Sequence, residues 1–177
     1  MKKYIPLLTF VPVVAIMVVL FVYRDAMAEL GNWGYLGAFL IGLVANATVI
    51  LPMPTLVLLF TLGATFNPIL VGVTGAAGGA IGELSGFVAG YGGHEFVKNV
   101  KLYIRAENWM RKWGSAAVFV FALIPFLPID IAGIAAGVVR FPIWKFIVAC
   151  FFAKAILYTG LTFATKWGWQ VVEGWFV

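Results

Sequence analysis

One cysteine and one histidine in 177 residues exclude several chemistries at the outset. Cys150 by itself closes no disulfide within the chain and builds no cysteine metal cluster. Its apolar neighbours mark it as a small core filler rather than a reactive thiol. His94 has no cysteine or histidine companions at ligand spacing, so it reads as a solvated loop residue, with a ligand or proton-relay role as the alternative. Charge is scarce as well: 11% of the residues are charged and only seven are acidic. No paired carboxylates at useful spacing and no activated nucleophile stand out, so an enzyme is the least favoured class. No cofactor and no metal is implied.

Apolar surface fills the space that charge leaves. The chain is 63% hydrophobic and its mean hydropathy is +1.04, far from ordinary soluble domains. The expectation is an all-α membrane protein with a single membrane domain over residues 1–177. The net charge of +5 follows from basic residues on the flanks of apolar segments, as the positive-inside bias requires. Trp33, Tyr35, Trp109, Trp113, Trp167, Trp169 and Trp175 gather at segment ends, where an interfacial belt belongs. A base-stacking platform would need alternating basic partners that are absent, so nucleic acid is not expected as a partner.

A spanning helix needs about 20 apolar residues, and this separates crossings from shorter pieces. Lys2 and Lys3 precede an apolar run, Tyr4–Tyr23, that resembles a signal sequence but exceeds the usual apolar region of about 7–15 residues. It is read as an anchor helix over 4–23 with its amino terminus in the cytoplasm. The apolar stretch Tyr35–Phe66 is split by Pro52-Met53-Pro54 into pieces of marginal length, which fits a re-entrant hairpin with a buried tip. Pro68–Tyr91 is long enough to cross. Its run Gly82-xxx-Gly86-xxx-Gly90 lines one helix face for close packing within the chain, or for homodimerisation as the second reading. Residues 94–113 form an amphipathic connector with a basic face, placed on the cytoplasmic surface against anionic head groups.

The hairpin pattern then returns over Ser115–Arg140 around Pro125-Phe126-Leu127-Pro128, and Phe141–Thr165 forms the last crossing. Pro54, Gly63, Pro68 and Gly86 recur at one constant spacing as Pro128, Gly137, Pro142 and Gly160. Prolines and glycines decide where a chain bends and where backbones approach, so this recurrence points to two related halves, 35–91 and 115–165. Each half is one hairpin plus one crossing, and an odd number of crossings makes the second half inverted. Pro52, Pro54, Pro125 and Pro128 are the expected hairpin tips. Paired interrupted segments of this kind point to a transport site near the midplane.

Five ionisable residues fall in or beside apolar segments: Glu83, Asp130, Arg140, Lys145 and Lys154. Such charges are costly, by about 2.5–3.5 kcal/mol at a helix centre, and usually face a partner or a wet cavity. Lys154 lies twelve residues after Pro142, roughly 18 Å along a helix and too deep for easy snorkelling. The repeat sets Glu83 opposite Leu157, nearly one turn from Lys154, so the two are expected to face a common space, in a structural ion pair or a functional one. Asp130 is read as a helix cap, a partner of Lys154, or a functional acid. Arg140 and Lys145 are interfacial anchors by default. The sharper reading makes Arg140 a phosphate clamp, since a guanidinium offers phosphate two parallel donors.

These residues resemble the DedA family, also called VTT or SNARE-associated membrane proteins. The match is strongest from Ile124-Pro125-Phe126-Leu127-Pro128-Ile129-Asp130 through Gly137 and Arg140, continuing at Pro142, Trp144, Phe146 and Lys154. A weaker match covers Leu51-Pro52 to Gly63, Asn67-Pro68, and Gly82-Glu83 to Gly90. The resemblance implies an inverted-repeat fold with two re-entrant hairpins, and transbilayer movement of polyprenyl phosphates or phospholipids, in some members with proton dependence. It carries the family's functional acids to Glu83 and Asp130 and its basic position to Arg140. The better-studied branches have an arginine just before the second proline cluster, where this chain has Ala122, Leu123 and Ile124.

The function expected from these readings is a lipid flippase or scramblase in the plasma or inner membrane. Its groove would open sideways to lipid, and a phosphate head group would be held by Arg140 and Lys154. Glu83 or Asp130 would exchange a proton. The rival readings are a proton- or cation-coupled carrier of a small solute, and a non-transporting scaffold.

Overall fold

Prolines set where the helices begin. The computed structural model describes residues 33–47, 52–92, 101–124, 127 and 129–176, with the backbone course alone at 52–55, 57, 60, 101–103 and 168–176. The expected anchor helix over 4–23, His94 and the tip residues Pro125 and Pro128 lie outside the described residues. All elements described are helices: α1 Trp33–Ala47, α2 Pro52–Thr65, α3 Pro68–Gly82, α4 Leu84–Tyr91, α5 Lys101–Trp113, α6 Ser115–Leu123, α7 Ile129–Val138 and α8 Ile143–Phe176. Pro52 and Pro68 open α2 and α3, where a missing N–H costs nothing, and Pro142 immediately precedes α8. Asn67 caps α3, its side-chain oxygen accepting from the N–H groups of Ile69 (3.0 Å) and Leu70 (3.4 Å).

Lengths sort the helices into two kinds. The 15 residues of α1 and 14 of α2 span only about 21–23 Å, and the 9 of α6 and 10 of α7 about 14–15 Å, at 1.5 Å per residue. A hydrocarbon core is about 30 Å thick. Two segments alone are long and apolar enough to cross one, among the described residues: Pro68–Tyr91 and Ile143–Trp167. The second of these nearly coincides with the crossing expected at Phe141–Thr165, while the helix α8 itself continues to Phe176. A single glycine at position 168 costs about 1 kcal/mol in a helix interior, too little to end so long a helix.

These two long apolar segments lie antiparallel. Gly72 of α3 packs on Thr159 of α8, and Gly79 on Lys154 and Tyr158. At the start of α3, Thr162 donates from its hydroxyl to the Pro68 carbonyl at 2.9 Å. Around them the short helices pack in a reciprocal way. Helix α1 lies mainly on α3 and α6 on α8, while α2 lies mainly on α8 and α7 on α4. Gly63 and its counterpart Gly137 mark the last two of these contacts: Gly63 faces Thr162, and Gly137 faces Phe87 and Gly90.

The interior is built from small side chains. Ala132, Ala135, Ala136, Ala149 and Ala153 surround Phe87 and Phe146 in one cluster, and Ala38 and Ala76 pack with Leu59, Leu62 and Val71 in another. Small residues let helices approach closely, as membrane helix pairs do. Many large apolar side chains point outward instead. Val148, Phe152, Ile156 and Phe163 form an exposed stripe on α8, and Leu36, Leu40 and Val44 form one on α1. Apolar stripes of this extent need a lipid or protein cover.

Candidate functional site

The polar centre is made where the crossing helices meet. Glu83 occupies the joint between α3 and α4, with φ −61° and ψ −15°, and its N–H still reaches the Gly79 carbonyl at 3.1 Å. Glycine-rich sequence on its N-terminal side makes this the natural place for a local break. Lys154 projects from α8 about a third of the way along it. Its Nζ donates to Glu83 Oε1 at 2.9 Å and to Asn46 Oδ1 at 2.7 Å, with the Tyr158 hydroxyl farther off at 3.5 Å. Asn46, on α1, donates in turn to the Gly42 carbonyl at 2.6 Å and to the Tyr158 hydroxyl at 3.4 Å. The cluster therefore ties α1, α3, α4 and α8 together.

This centre is closed. Glu83 is 1% exposed and Lys154 3%. The groove open sideways to lipid that the sequence led us to expect is thus sealed at these residues, because the ammonium is already held by the carboxylate and the amide. One atom is left over: Glu83 Oε2 is buried and has no hydrogen-bond partner among the described residues. A carboxylate oxygen without a partner in such a place is expensive. Asp130, in the first turn of α7, is half-buried and lies within electrostatic reach of Glu83 and Lys154. Its backbone sits beside Gly86, whose Cβ position would be 3.4 Å from the Asp130 carbonyl oxygen. One carboxylate thus pairs with the ammonium, and a second lies within electrostatic reach of it.

Arg140 does not join this cluster. It is exposed, ten residues beyond Asp130 and so about 15 Å away along the direction of α7. Its place comes from the way α7 ends. The N–H of Phe141 bonds the Ala136 carbonyl (2.9 Å) and that of Arg140 bonds the Gly137 carbonyl (3.0 Å), with Arg140 at φ 53°. This is a Schellman stop with arginine where glycine is usual. Lys145 is also exposed, its Nζ 5.4 Å from the centroid of the Trp144 ring. The expected joint grip of Arg140 and Lys154 on one phosphate is not made in this conformation.

The remaining residues singled out by sequence fall as follows. Gly82 faces α1 at Leu43 and Asn46, Gly86 and Gly90 face α7 at Asp130 and Ile134, and Gly137 faces α4. All four are buried against helices of the same chain. Gly160, the counterpart of Gly86, has open space around it among the described residues. Pro52 and Pro54 belong to the first turn of α2. Sequence reasoning missed Asn46 and Tyr158. Asn46 carried a signal, since an isolated asparagine in an apolar helix usually bonds across to another helix.

A family model described as VTT domain matches residues 53–166, well over half the chain. No curated protein and no solved structure matches it. The matched region includes Glu83, Asp130, Arg140 and Lys154, nearly all of the two long apolar segments, and the short helices α2, α6 and α7, while α1 precedes it. The chain belongs to the VTT domain family, the DedA group of membrane proteins.

Proposed function

We propose that this protein moves a phosphate-bearing lipid, a polyprenyl phosphate or a phospholipid, across the bilayer. Glu83, Asp130 and Lys154 lie at the centre of the path and Arg140 at its cytoplasmic rim. The observation that carries this reading is the buried Glu83–Lys154 pair with its leftover oxygen. A buried ion pair is a poor way to gain stability, because apolar residues of similar volume do as well or better. Within a membrane its default role is functional.

The two halves, α1–α4 and α6–α8, are read as an inverted repeat with re-entrant hairpins. In support, each arm is shorter than a bilayer core, the crossings run antiparallel, and the second arms exchange sides. The described conformation is the closed one. For a head group to pass, Lys154 leaves Glu83 for the phosphate, and Glu83 or Asp130 takes a proton while its counter-charge is away. Release of the anion returns Lys154 to Glu83.

Arg140 gives the direct test. A non-glycine residue held at φ 53° bears roughly 1 kcal/mol of strain, which a side chain with a task would justify. Arg140→Gly keeps the turn and removes the side chain with its guanidinium. Loss of charge-assisted contacts to phosphate, at about 1.5–3 kcal/mol, predicts lipid flipping in liposomes slower by roughly ten- to a hundredfold. The thermal midpoint should stay level or rise. Wild-type flipping by this variant would reduce Arg140 to a surface anchor.

A further inference from the structure

A second site lies at the other end of the crossing helices. A pocket of about 420 Å³ opens where the start of α3 meets the late part of α8, lined by Asn67, Pro68, Ile69, Phe163, Lys166 and Trp167. None of these belongs to the central cluster. Lys166 follows Lys154 by twelve residues, about 18 Å along α8, just as Pro142 precedes it by twelve. Half of a hydrocarbon core is about 15 Å. With Lys154 near the midplane, the pocket sits in the head-group layer of the leaflet opposite Arg140.

Its chemistry matches that depth. Ile69 and Phe163 supply exposed apolar walls, and Trp167, 72% exposed, stands at the rim. The Asn67 side-chain oxygen Oδ1 is taken up by the cap of α3, which leaves its side-chain amide N–H groups as donors. Lys166 has no acidic partner among the described residues. The pocket thus offers a cation, amide and indole donors, and hydrocarbon walls, with no carboxylate lining it. This is the complement of an anionic phospholipid: a negative head group at the rim with acyl chains running down the walls.

We propose that this pocket docks the head group of an anionic phospholipid, held by Lys166 with Trp167 and Asn67, at a place separate from the translocation path. The test uses full-length protein in lipid nanodiscs and tryptophan quenching by lipids brominated high on the acyl chain. Subtracting the signal of Trp167→Phe isolates the emission of Trp167. Brominated phosphatidylglycerol should quench this emission well beyond brominated phosphatidylcholine at equal content. In Lys166→Gln the preference should fall about fivefold, the value of one cation near an anionic head group. Excess free glycerol phosphate should leave the wild-type preference unchanged. Equal quenching by the two lipids, an unchanged preference in Lys166→Gln, or displacement by free glycerol phosphate would each overturn the proposal. Flipping rates play no part in the readout, so it stands or falls separately from the Arg140 experiment.

Discussion

Lys154→Met is expected to lower stability by about 3–5 kcal/mol and abolish lipid movement, while Lys154→Met combined with Glu83→Leu regains the stability but not the transport. The single substitution leaves a carboxylate, 1% exposed, without the ammonium 2.9 Å away that compensates it. Breaking a buried pair from one side costs about that much, whereas replacing both partners by apolar groups of similar volume is often neutral or better. Asn46 loses its strongest partner in both variants, so the recovery should be slightly incomplete. Thermal unfolding in detergent supplies the stability half of the cycle, and a fluorescent-lipid assay in liposomes supplies the other. A double variant that is stable and flips lipid at the wild-type rate would show the pair to be architectural only, and the proposed path would lose its centre.

Gly78→Ala and Gly160→Ala should act in opposite directions, although both replace a helical glycine by the same small residue. A methyl at Gly78 would run into the Phe39 carbonyl and crowd the Leu43 N–H, which are backbone atoms with nowhere to go. The helix α1 must then move off α3, with a loss at the upper end of the usual 1–3 kcal/mol for overpacking. A methyl at Gly160 meets nothing among the described residues. It removes glycine's unfolded-state freedom and should add roughly 0.5–1 kcal/mol. Because α1 carries Asn46, the Gly78 variant should also disturb the polar cluster and slow transport. Thermal midpoints shifting the same way in both variants would contradict the packing described.

Much of this was readable from residue types that constrain the backbone. Pro68 and Pro142 fixed the starts of the crossing segments because proline suits a helix only in its first turn. The partnership of Glu83 with Lys154 followed from the spacing of the repeat, since a buried charge needs a partner within reach. The separation of Arg140 from that pair was not readable: it depends on α7 ending in a Schellman stop, and nothing in the sequence announces an arginine in a conformation glycine prefers. The closure of the centre was not readable either, for it rests partly on Asn46, an uncharged residue on α1 whose partner lies 108 residues away in the chain. Gly160 recurs at the spacing of Gly86 but, among the described residues, lacks the close packing that Gly86 has.

The length of α8 has a mechanical consequence. Its 34 residues make a rod of about 50 Å, of which some 33 Å lies beyond Lys154. The ammonium and its partners act as a pivot near the first third of that rod. A tilt about that point would be amplified at the far tip, so if the central contact opens during the proposed transport, a distance probe there would record a swing of many ångströms.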